Sequence, residues 1–186
     1  MRKTLLIGLA ALLLAALPAA ASTFVAYDQG EMVNNANMIV EGRVMALDTF
    51  WSEKGRVVVT EATIAVDEVI AGQTTDRVVT VRTFGGQIDG VGFEAHGFPT
   101  FEKNEHVIVF LRTERADDSL RVVGYQQGHY RVVTRLDGVT LAVPQIDSEV
   151  SLVSRDGHAV PAQRSVQIDQ FKAELRAEAA RQAQGR

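Results

Sequence analysis

A glycine-rich stretch in the middle of the chain most constrains what this sequence can fold into. It covers residues 84–111, and its first half holds five of the 15 glycines of the chain. Such clusters mark backbone that takes positive φ angles or passes close to another segment. Gly85 and Gly86 directly follow a strand-like run that ends at Phe84, which predicts a bulge or a tight corner. The stretch therefore favours a ribbon that bends sharply, as in a small closed sheet.

The second half of the stretch predicts a break followed by a buried strand. Pro99 lacks a backbone donor and restricts Phe98 to extended geometry. Residues 106–111 form an apolar run that is typical of a strand buried on both faces. Gln127 is predicted to pin one strand to the next, because its amide can satisfy backbone groups at a bend. The residues assigned structural roles are Gly42, Gly85, Gly86, Gly97, Pro99, Gln127 and Gly128.

Aromatic side chains near the glycine corners supply the candidate contact residues. Phe93, Phe98 and Phe101 lie in predicted loops, where they would be exposed apolar groups, and loops on a rigid sheet often carry binding residues. The glycines themselves favour corners of a barrel or sandwich, which is compatible with binding by the loops. Trp51 is the single tryptophan of the chain, and packing against the sheet and an exposed binding role are both open for it.

The first 21 residues predict a secretory signal peptide. Arg2 and Lys3 form its charged start, residues 5–17 its apolar core, and residues 19–21 a small-residue cleavage site. The apolar run is too short for a comfortable membrane span. We therefore expect cleavage after about Ala21, no membrane span in the mature chain, and a secreted or periplasmic location. An uncleaved anchor is the alternative.

Composition excludes several classes of function. Lys and Arg total 19 against 23 Asp and Glu, and residues 1–21 contain two of the basic side chains and none of the acidic ones. An acidic mature chain without a basic run is a poor candidate for binding nucleic acid. The chain has no cysteine, which excludes disulfides, thiolate zinc sites and a cysteine nucleophile. An exported domain of this kind must be stabilised by its apolar core.

Alternation of apolar and polar residues predicts the fold class. Residues 56–71 place Val58, Ala62 and Ile64 on one face, which favours an antiparallel sheet with one solvated face. Asp137-Gly138 is a strong hairpin signal. Several further strands and turns follow the same pattern, and helical patterns occur only at the ends of the chain. The sequence therefore predicts an all-β domain, an OB-like Greek-key β-barrel.

The predicted domain organisation has four parts. A signal peptide covers residues 1–21, the OB-like barrel residues 22–146, an irregular linker residues 147–164, and a C-terminal amphipathic helix residues 165–183. A short N-terminal helix or turn is expected within residues 28–37. Ser165 is the predicted N-cap of the C-terminal helix, whose apolar positions form one narrow face. Its distal part is polar and is expected to project into solvent.

A set of spaced residues between positions 34 and 135 carries a family resemblance. The set comprises Asn37, Ile39, Val40, Gly42, Val44, Gly85, Gly86, Gly97, Pro99, Phe101, Glu105, Val107, Phe110, Leu111, Gly124, Gln127 and Gly128. It resembles a group of small secreted bacterial proteins that are associated with neighbouring matrixin-type metalloproteases. The opening strand is also similar to the OB-type domain of tissue inhibitors of metalloproteinases and of netrin-like modules, at the level of a fold analogy. The resemblance implies a metalloprotease as a partner.

The mode of action of those inhibitors does not transfer to this chain. They place an N-terminal cysteine, held by a disulfide, over the protease zinc. This chain has no cysteine, and after the predicted cleavage it would begin near Ser22. No inhibitory residue is therefore carried over.

Catalytic motifs are absent from the sequence. None of the histidines forms H-E-x-x-H or another short metal-binding spacing, and there is no G-x-S-x-G. Glu105 and His106 would face opposite sides of a strand and would not chelate one ion together. His96 and His129 lie beside glycine corners and could converge only through the fold. A metal-dependent hydrolase, in which His96, His129 and nearby carboxylates bind the metal, is therefore an alternative.

The sequence thus favours an exported, non-catalytic protein-binding module without a cofactor. Its expected partner is another exported protein, for which the resemblance implies a metalloprotease. The expected contact residues are Phe93, Phe98, Phe101 and Trp51. Besides the hydrolase, a carbohydrate or small-ligand binder that uses the barrel face and Trp51 is the other alternative.

Overall fold

The structure is a computed structural model that describes residues 22–53, 55–161 and 163–185. The predicted signal peptide lies outside the described residues. The strands are β1 (Ser22–Val25), β2 (Met38–Trp51), β3 (Val58–Gly72), β4 (Val78–Phe84), β5 (Gly86–Ile88), β6 (Val91–Phe93), β7 (His106–Thr113), β8 (Leu120–Val122), β9 (His129–Thr134), β10 (Thr140–Pro144), β11 (Val150–Val153) and β12 (Val166–Gln167). The helices are α1 (Gln29–Asn35), a 3-10 helix (Tyr125–Gly128) and α2 (Ile168–Gln184).

Five of these strands close into a barrel. They are joined in the order β7, β2, β3, β4 and β8, and β8 pairs again with β7. The pairing of β4 with β8 is parallel, whereas the other four pairings are antiparallel. A meander of three strands, followed by a hairpin whose last strand returns beside the third, is a Greek-key barrel of the OB type. The predicted all-β, OB-like barrel is confirmed.

The sheet continues beyond the barrel and creates a second apolar layer. β7 also pairs with β9, which is followed by β10 and β12. Along β7, Val107 and Val109 point into the barrel interior, whereas Ile108 and Phe110 point into the layer beneath α2. This strand is therefore buried on both faces, as the apolar run at residues 106–111 predicts.

Short helices lie at both ends of the barrel domain, as expected. Asp28 caps α1, since its carboxylate accepts from the Glu31 amide at 2.7 Å while the Glu31 side chain accepts from the Asp28 amide at 3.0 Å. This reciprocal capping box satisfies two amides at the helix start. In the part of the chain that the structure covers, no helix is both long and apolar enough to cross a membrane.

The C-terminal helix differs from the prediction at both ends. Ser165 is not its N-cap, because Val166 first pairs with Ala142 in β12 and the helix begins only at Ile168. The distal part does not simply project into solvent, because the Gln182 amide donates to the Gly30 carbonyl of α1 at 2.8 Å. Long-range contacts that no local pattern shows thus fix both ends of this helix.

The segment predicted to be an irregular linker, residues 147–164, contains a strand. β11 (Val150–Val153) lies within it and pairs in parallel with β1. Parallel pairing joins segments that are far apart in the chain and leaves no hairpin signal between them. This pair brings the start of the described chain beside the barrel.

Candidate functional site

A groove lies at the place where the barrel seam is weakest. The parallel strands β4 and β8 are paired only at Val81 and Leu120, so the barrel is closed here by a minimal contact. Beyond that contact, between β1 and the ends of β4 and β8, lies a cavity of about 610 Å³, which we call the seam groove. Its aromatic lining consists of Phe24, Tyr27, Phe84, Phe98 and Tyr125.

The aromatic rings of the seam groove contact one another in a chain. The Tyr125 ring lies 4.9 Å from that of Phe24 and 5.0 Å from that of Phe98, measured between centroids. Phe98 in turn meets Phe84 at 5.0 Å and an interplanar angle of 89°. Edge-to-face pairs of this kind contribute about 0.5–1.5 kcal/mol each beyond the burial of their area. The rings therefore form a preorganised apolar surface.

Tyr125 is presented to the groove by an unusual backbone conformation. It has a φ angle of 60°, and it follows Gly124, which has a φ angle of 65°. A bulky residue with positive φ is a genuine outlier. Such strain is stored preferentially at functional sites, where the surrounding structure holds it in place. Tyr125 as a whole is 44% exposed.

Two glutamines of the 3-10 helix hold the groove together. The Gln127 side chain accepts from the Tyr27 amide at 2.9 Å and donates to the Val25 carbonyl at 3.0 Å, so it ties β1 to the 3-10 helix. The Gln126 side chain donates to the Phe98 carbonyl at 3.2 Å. Both glutamines are buried, and each satisfies backbone groups that no strand pairs.

Charged groups gather at the β8 end of the groove. Arg82 forms ion pairs with Glu61 and Asp117, and its pKa is raised mainly by the hydrogen bond to Glu61. Hydrogen bonds from Ser119 and the neighbouring Arg121 lower the pKa of Asp117 to about 2. Hence Asp117 stays ionised at neutral pH and holds the two guanidinium groups at the groove wall.

A smaller groove of about 470 Å³ adjoins the first one, and Phe84 and Phe98 line both. Phe93 lines this second groove and packs edge-on against Trp51, with the ring centroids 5.0 Å apart and at 73°. Trp51 is 47% exposed. The two grooves and the Trp51–Phe93 pair form one continuous surface, which we call the aromatic face.

The structure brings together three of the four predicted contact residues. Phe98 and Phe93 line the grooves, and Trp51 lies at the far end of the aromatic face. The expectation that Phe101 is exposed is wrong, because it is only 7% exposed and packs 4.6 Å from the His129 ring. Pro99 is buried, Thr100 exposed and Phe101 buried again, so side chains alternate after Pro99 and Phe101 points into the barrel core.

Close contacts explain two of the predicted corner glycines. A Cβ atom on Gly97 would lie 2.1 Å from the Phe24 ring, and one on Gly86 would lie 2.2 Å from the Thr60 hydroxyl. Both have positive φ angles, which L side chains rarely adopt. Gly97 thereby lets Phe24 reach the seam groove, so that this glycine acts directly on the shape of the site.

The other predicted structural residues occupy corners and register shifts. Gly42 lies at a register shift of β2 against β3, and Gly128 ends the 3-10 helix. Pro99 is buried, and its carbonyl accepts from the Thr83 hydroxyl at 2.8 Å. Gly85 accepts from the Thr60 hydroxyl at 2.7 Å. All of them lie in the segments that connect or bend the barrel strands.

His96 and His129 lie in different surroundings. The ring of His129 is 1% exposed, and burial lowers its pKa to about 3, with a smaller contribution from Arg131. His96 lies at the surface, 3.4 Å from a carboxylate oxygen of Glu149. Residues 22–53, 55–161 and 163–185 contain no group of three or more His, Asp or Glu side chains that could hold a metal ion. The two histidines therefore do not form the centre that the hydrolase alternative requires.

Four residues of the aromatic face are missing from the sequence-based set: Phe24, Tyr27, Phe84 and Tyr125. Phe84 directly precedes the Gly85-Gly86 corner and could have been included on that basis. Tyr125 follows Gly124 in a segment where the sequence predicts structural roles for Gln127 and Gly128 but no contact residue. Phe24 carries no local signal, because it reaches the groove only through the parallel pairing of β1 with β11.

Comparison of the chain with protein-family models, curated proteins and solved structures found no match. The geometry itself defines an OB-type barrel with an open aromatic groove at its seam. Its chemistry is apolar contact, edge-to-face stacking and charge pairing, which suits recognition.

Proposed function

We propose that the protein is an exported, non-catalytic binding module that engages another exported protein through the aromatic face. The observation that carries this proposal is the chain of partly exposed rings in the seam groove, with Tyr125 held there in a strained backbone conformation. Solvent would favour burial of these rings. Their exposure in preorganised contact indicates a surface that a partner covers.

The composition of the aromatic face also supports protein recognition. Protein interfaces are enriched in Phe, Tyr, Trp and Arg, and their energetic centres are well-packed aromatic or arginine anchors surrounded by polar groups. The seam groove combines Tyr125 and Phe98 with the guanidinium groups of Arg82 and Arg121, and Arg121 lies over the Phe84 ring at 5.0 Å. A flat polar barrel surface would offer none of these anchors.

The predicted signal peptide supports an exported partner, and the family resemblance supports a metalloprotease as that partner. Secreted or periplasmic location and the identity of the partner are parts of the proposal. The identity of the partner is tested by binding experiments with exported proteins.

A pull-down with groove variants tests the proposed function. Mature wild-type protein, Tyr125→Ser and Phe98→Ser are used as baits on the exported fraction, together with a purified matrixin-type protease. Leu136→Ser is the matched control, because Leu136 is a fully exposed apolar residue at the β9–β10 hairpin, outside the lining of either groove. We expect wild type and Leu136→Ser to retain a shared partner that both groove variants lose. Equal recovery by all four proteins would remove the aromatic face from the proposal.

A carbohydrate binder is the second candidate, and the Trp51–Phe93 pair is the observation that favours it. Exposed aromatic rings provide stacking platforms for sugar rings as well as for proteins. The single tryptophan gives a direct readout, because a glycan stacked on Trp51 should quench its fluorescence saturably. Quenching by a glycan in wild type, and its loss in Phe93→Ser, would favour this candidate over the protein-binding module.

The metal-dependent hydrolase gains no support from the geometry, because His96 and His129 do not converge. Elemental analysis of protein purified without chelators is the relevant measurement. A stoichiometric transition metal that is lost in His129→Gln would reopen this candidate.

A further inference from the structure

The first strand has an edge that faces the seam groove. β1 pairs with β11, and the Ser22 and Ala26 amides donate to the carbonyls of Glu149 and Val153. In a parallel pair, alternate residues direct their backbone groups to the partner strand. Thr23 and Val25 therefore direct theirs to the opposite side, and both residues line the seam groove.

The backbone of this edge is only partly used within the described chain. The Val25 carbonyl accepts from the Gln127 side chain at 3.0 Å and the Tyr27 amide donates to it at 2.9 Å, which confirms the direction of these residues and leaves the edge unused only before them. No described strand pairs with the groove-facing edge of β1. Among the described residues, the amide and carbonyl of Thr23 and the amide of Val25 are left on this edge, and unpaired strand groups of this kind are a template for another extended chain.

The opposite wall of the groove leaves room for such a chain. β4 is paired with β8 only at Val81, and Arg82, Thr83 and Phe84 continue past that point along the groove. The groove thus lies between two strand ends and is floored by the aromatic rings. An extended segment places side chains on alternate faces, so every second residue would rest on Phe98 or Tyr125.

The charge of the groove indicates the kind of segment that it takes. Its lining includes three arginines but only two carboxylates, in a chain whose net charge is −4. Arg82 and Arg121 share Asp117, whereas Arg112 is about half exposed and lies 3.5 Å from Glu114. Glu61, outside the lining, also pairs with Arg82, so the three arginines face three carboxylates, and Arg112 is the most exposed of the three. A half-exposed guanidinium with one partner can pair with a second carboxylate, here an acidic side chain of the bound segment.

We infer that the seam groove binds an extended peptide segment of a partner protein by strand addition to β1. The segment has alternating apolar residues that rest on the aromatic rings and an acidic residue near Arg112. This inference rests on the proposed function and deepens it, because it specifies the conformation and chemistry of the bound segment. Backbone recognition supplies affinity, and the rings and arginine supply selectivity.

Peptides selected on the mature protein test the inference. A random decapeptide display library is the probe, and the tightest binder is then synthesised with single N-methyl groups at each position. Strand addition uses the amides of alternate residues, so N-methylation should weaken binding by about tenfold or more at one parity and change it little at the other. Enriched peptides should alternate apolar residues and carry Asp or Glu. The absence of enriched peptides, or an N-methylation effect without parity, would overturn strand addition.

Variants of the protein locate the bound peptide. Thr23→Pro removes the groove-facing donor of β1 without touching its bonds to β11, and Pro is tolerated at such edges. We expect Thr23→Pro and Tyr125→Ser each to weaken the peptide by about tenfold, Arg112→Glu to favour Lys-containing over Asp-containing peptides, and Leu136→Ser to change nothing. Thermal unfolding of each variant separates lost binding from lost folding. Unchanged binding in a folded Thr23→Pro variant would overturn the inference.

The two proposals fail in distinguishable ways. If Phe98→Ser loses the exported partner but the peptides show no parity, strand addition is wrong and the binding module stands. If Phe98→Ser retains the partner, the proposed function is wrong at this surface.

Discussion

Two aromatic clusters flank the barrel and differ in what covers them. The first, Phe110, Tyr130 and Phe171, lies between α2 and the sheet and is buried together with Leu175 and Ile39. The second lines the seam groove, where the rings are partly exposed. The first cluster makes tilted contacts at 4.7, 6.0 and 6.4 Å between ring centroids, and the second makes tilted and edge-to-face contacts at 4.9 and 5.0 Å. The difference shows that the cover, rather than the type of residue, decides whether aromatic packing serves stability or recognition.

The cover on the first cluster is held by both apolar and ionic contacts. Phe171 and Leu175 of α2 fill the layer over the sheet. Lys172, between them, donates to Glu41 at 2.6 Å and to Glu68 at 2.8 Å. On the seam side, β1 has four residues and β8 three, so neither strand is long enough to close over the rings. The groove therefore remains open to a further segment.

The largest expected effect comes from uncovering the first cluster. Phe171→Ala removes a buried ring and should lower the free energy of unfolding by about 3–5 kcal/mol. Phe98→Ala, in the groove, should cost at most about 2 kcal/mol, because Phe98 lines the open groove and is only partly buried. Urea denaturation of the two variants gives the comparison directly. Equal losses would contradict the view that only the first cluster is part of the stable core.

The next largest effect concerns the ionic contact of α2. Lys172→Met leaves the buried Glu41 carboxylate without this partner and should cost about 2–3 kcal/mol, somewhat below the full value for a completely buried pair. Arg176→Ala removes a more exposed ion pair with Glu68 and should cost about 1 kcal/mol or less. Thermal unfolding compares the two variants. If they were equally destabilised, Lys172 would be no more than a surface charge.

A smaller effect follows from the buried imidazole of His129, which packs 4.6 Å from the Phe101 ring. Burial lowers the pKa of folded His129 to about 3, below the value of 6.5 expected when it is unfolded. Between pH 6.5 and pH 3 this histidine binds a proton in the unfolded chain but not in the folded one. The free energy of unfolding is therefore at its full value above pH 6.5 and falls as pH falls from 6.5 towards 3. The loss is up to about 1.4 kcal/mol for each pH unit.

Urea midpoints of wild type and His129→Gln, measured between pH 7.5 and pH 5, isolate this histidine, because all other titratable groups are common to the two proteins. Asp117, with its pKa of about 2, stays ionised throughout this range. Arg131 and Glu105 face His129 and remain in place in the variant. We expect His129→Gln to reduce the pH slope markedly, whatever its effect on stability at pH 7.5. An unchanged slope would assign the acid sensitivity to other groups.

The fold could be predicted from the sequence because its signals are local. Alternation in β3, the Asp137-Gly138 turn, the glycine corners and the two-sided apolar run of β7 each act over a few residues. Together they favour a small closed sheet over a layered α/β fold. The strand β11 and the true start of α2 were missed, since each depends on pairing with a segment that is distant in the chain.

The candidate site was less predictable, for the same physical reason. Phe93 and Phe98 stand beside glycine corners and could be identified as contacts. Phe101 also follows the Gly97 corner, but the alternation of buried and exposed residues after Pro99 points it inward, which only the folded structure shows. Phe24 and Tyr125 meet across about a hundred residues of sequence, through bonds made by Gln127. When a site is assembled from such distant segments, no fixed spacing of residues in the sequence identifies it.

The smallest expected effect on stability belongs to Tyr125, and it is the sharpest test of the comparison. Tyr125→Asn places at φ 60° a residue that tolerates this conformation far better, and the relief is about 1 kcal/mol. The lost contacts with Phe24 and Phe98 cost a similar amount, so we expect a net change of about 1 kcal/mol or less. Binding at the seam groove should nevertheless fall by about tenfold, since the ring is a central anchor. A variant that binds normally, or one that loses stability as Phe171→Ala does, would show that Tyr125 belongs to the core and that the two clusters do not differ in role.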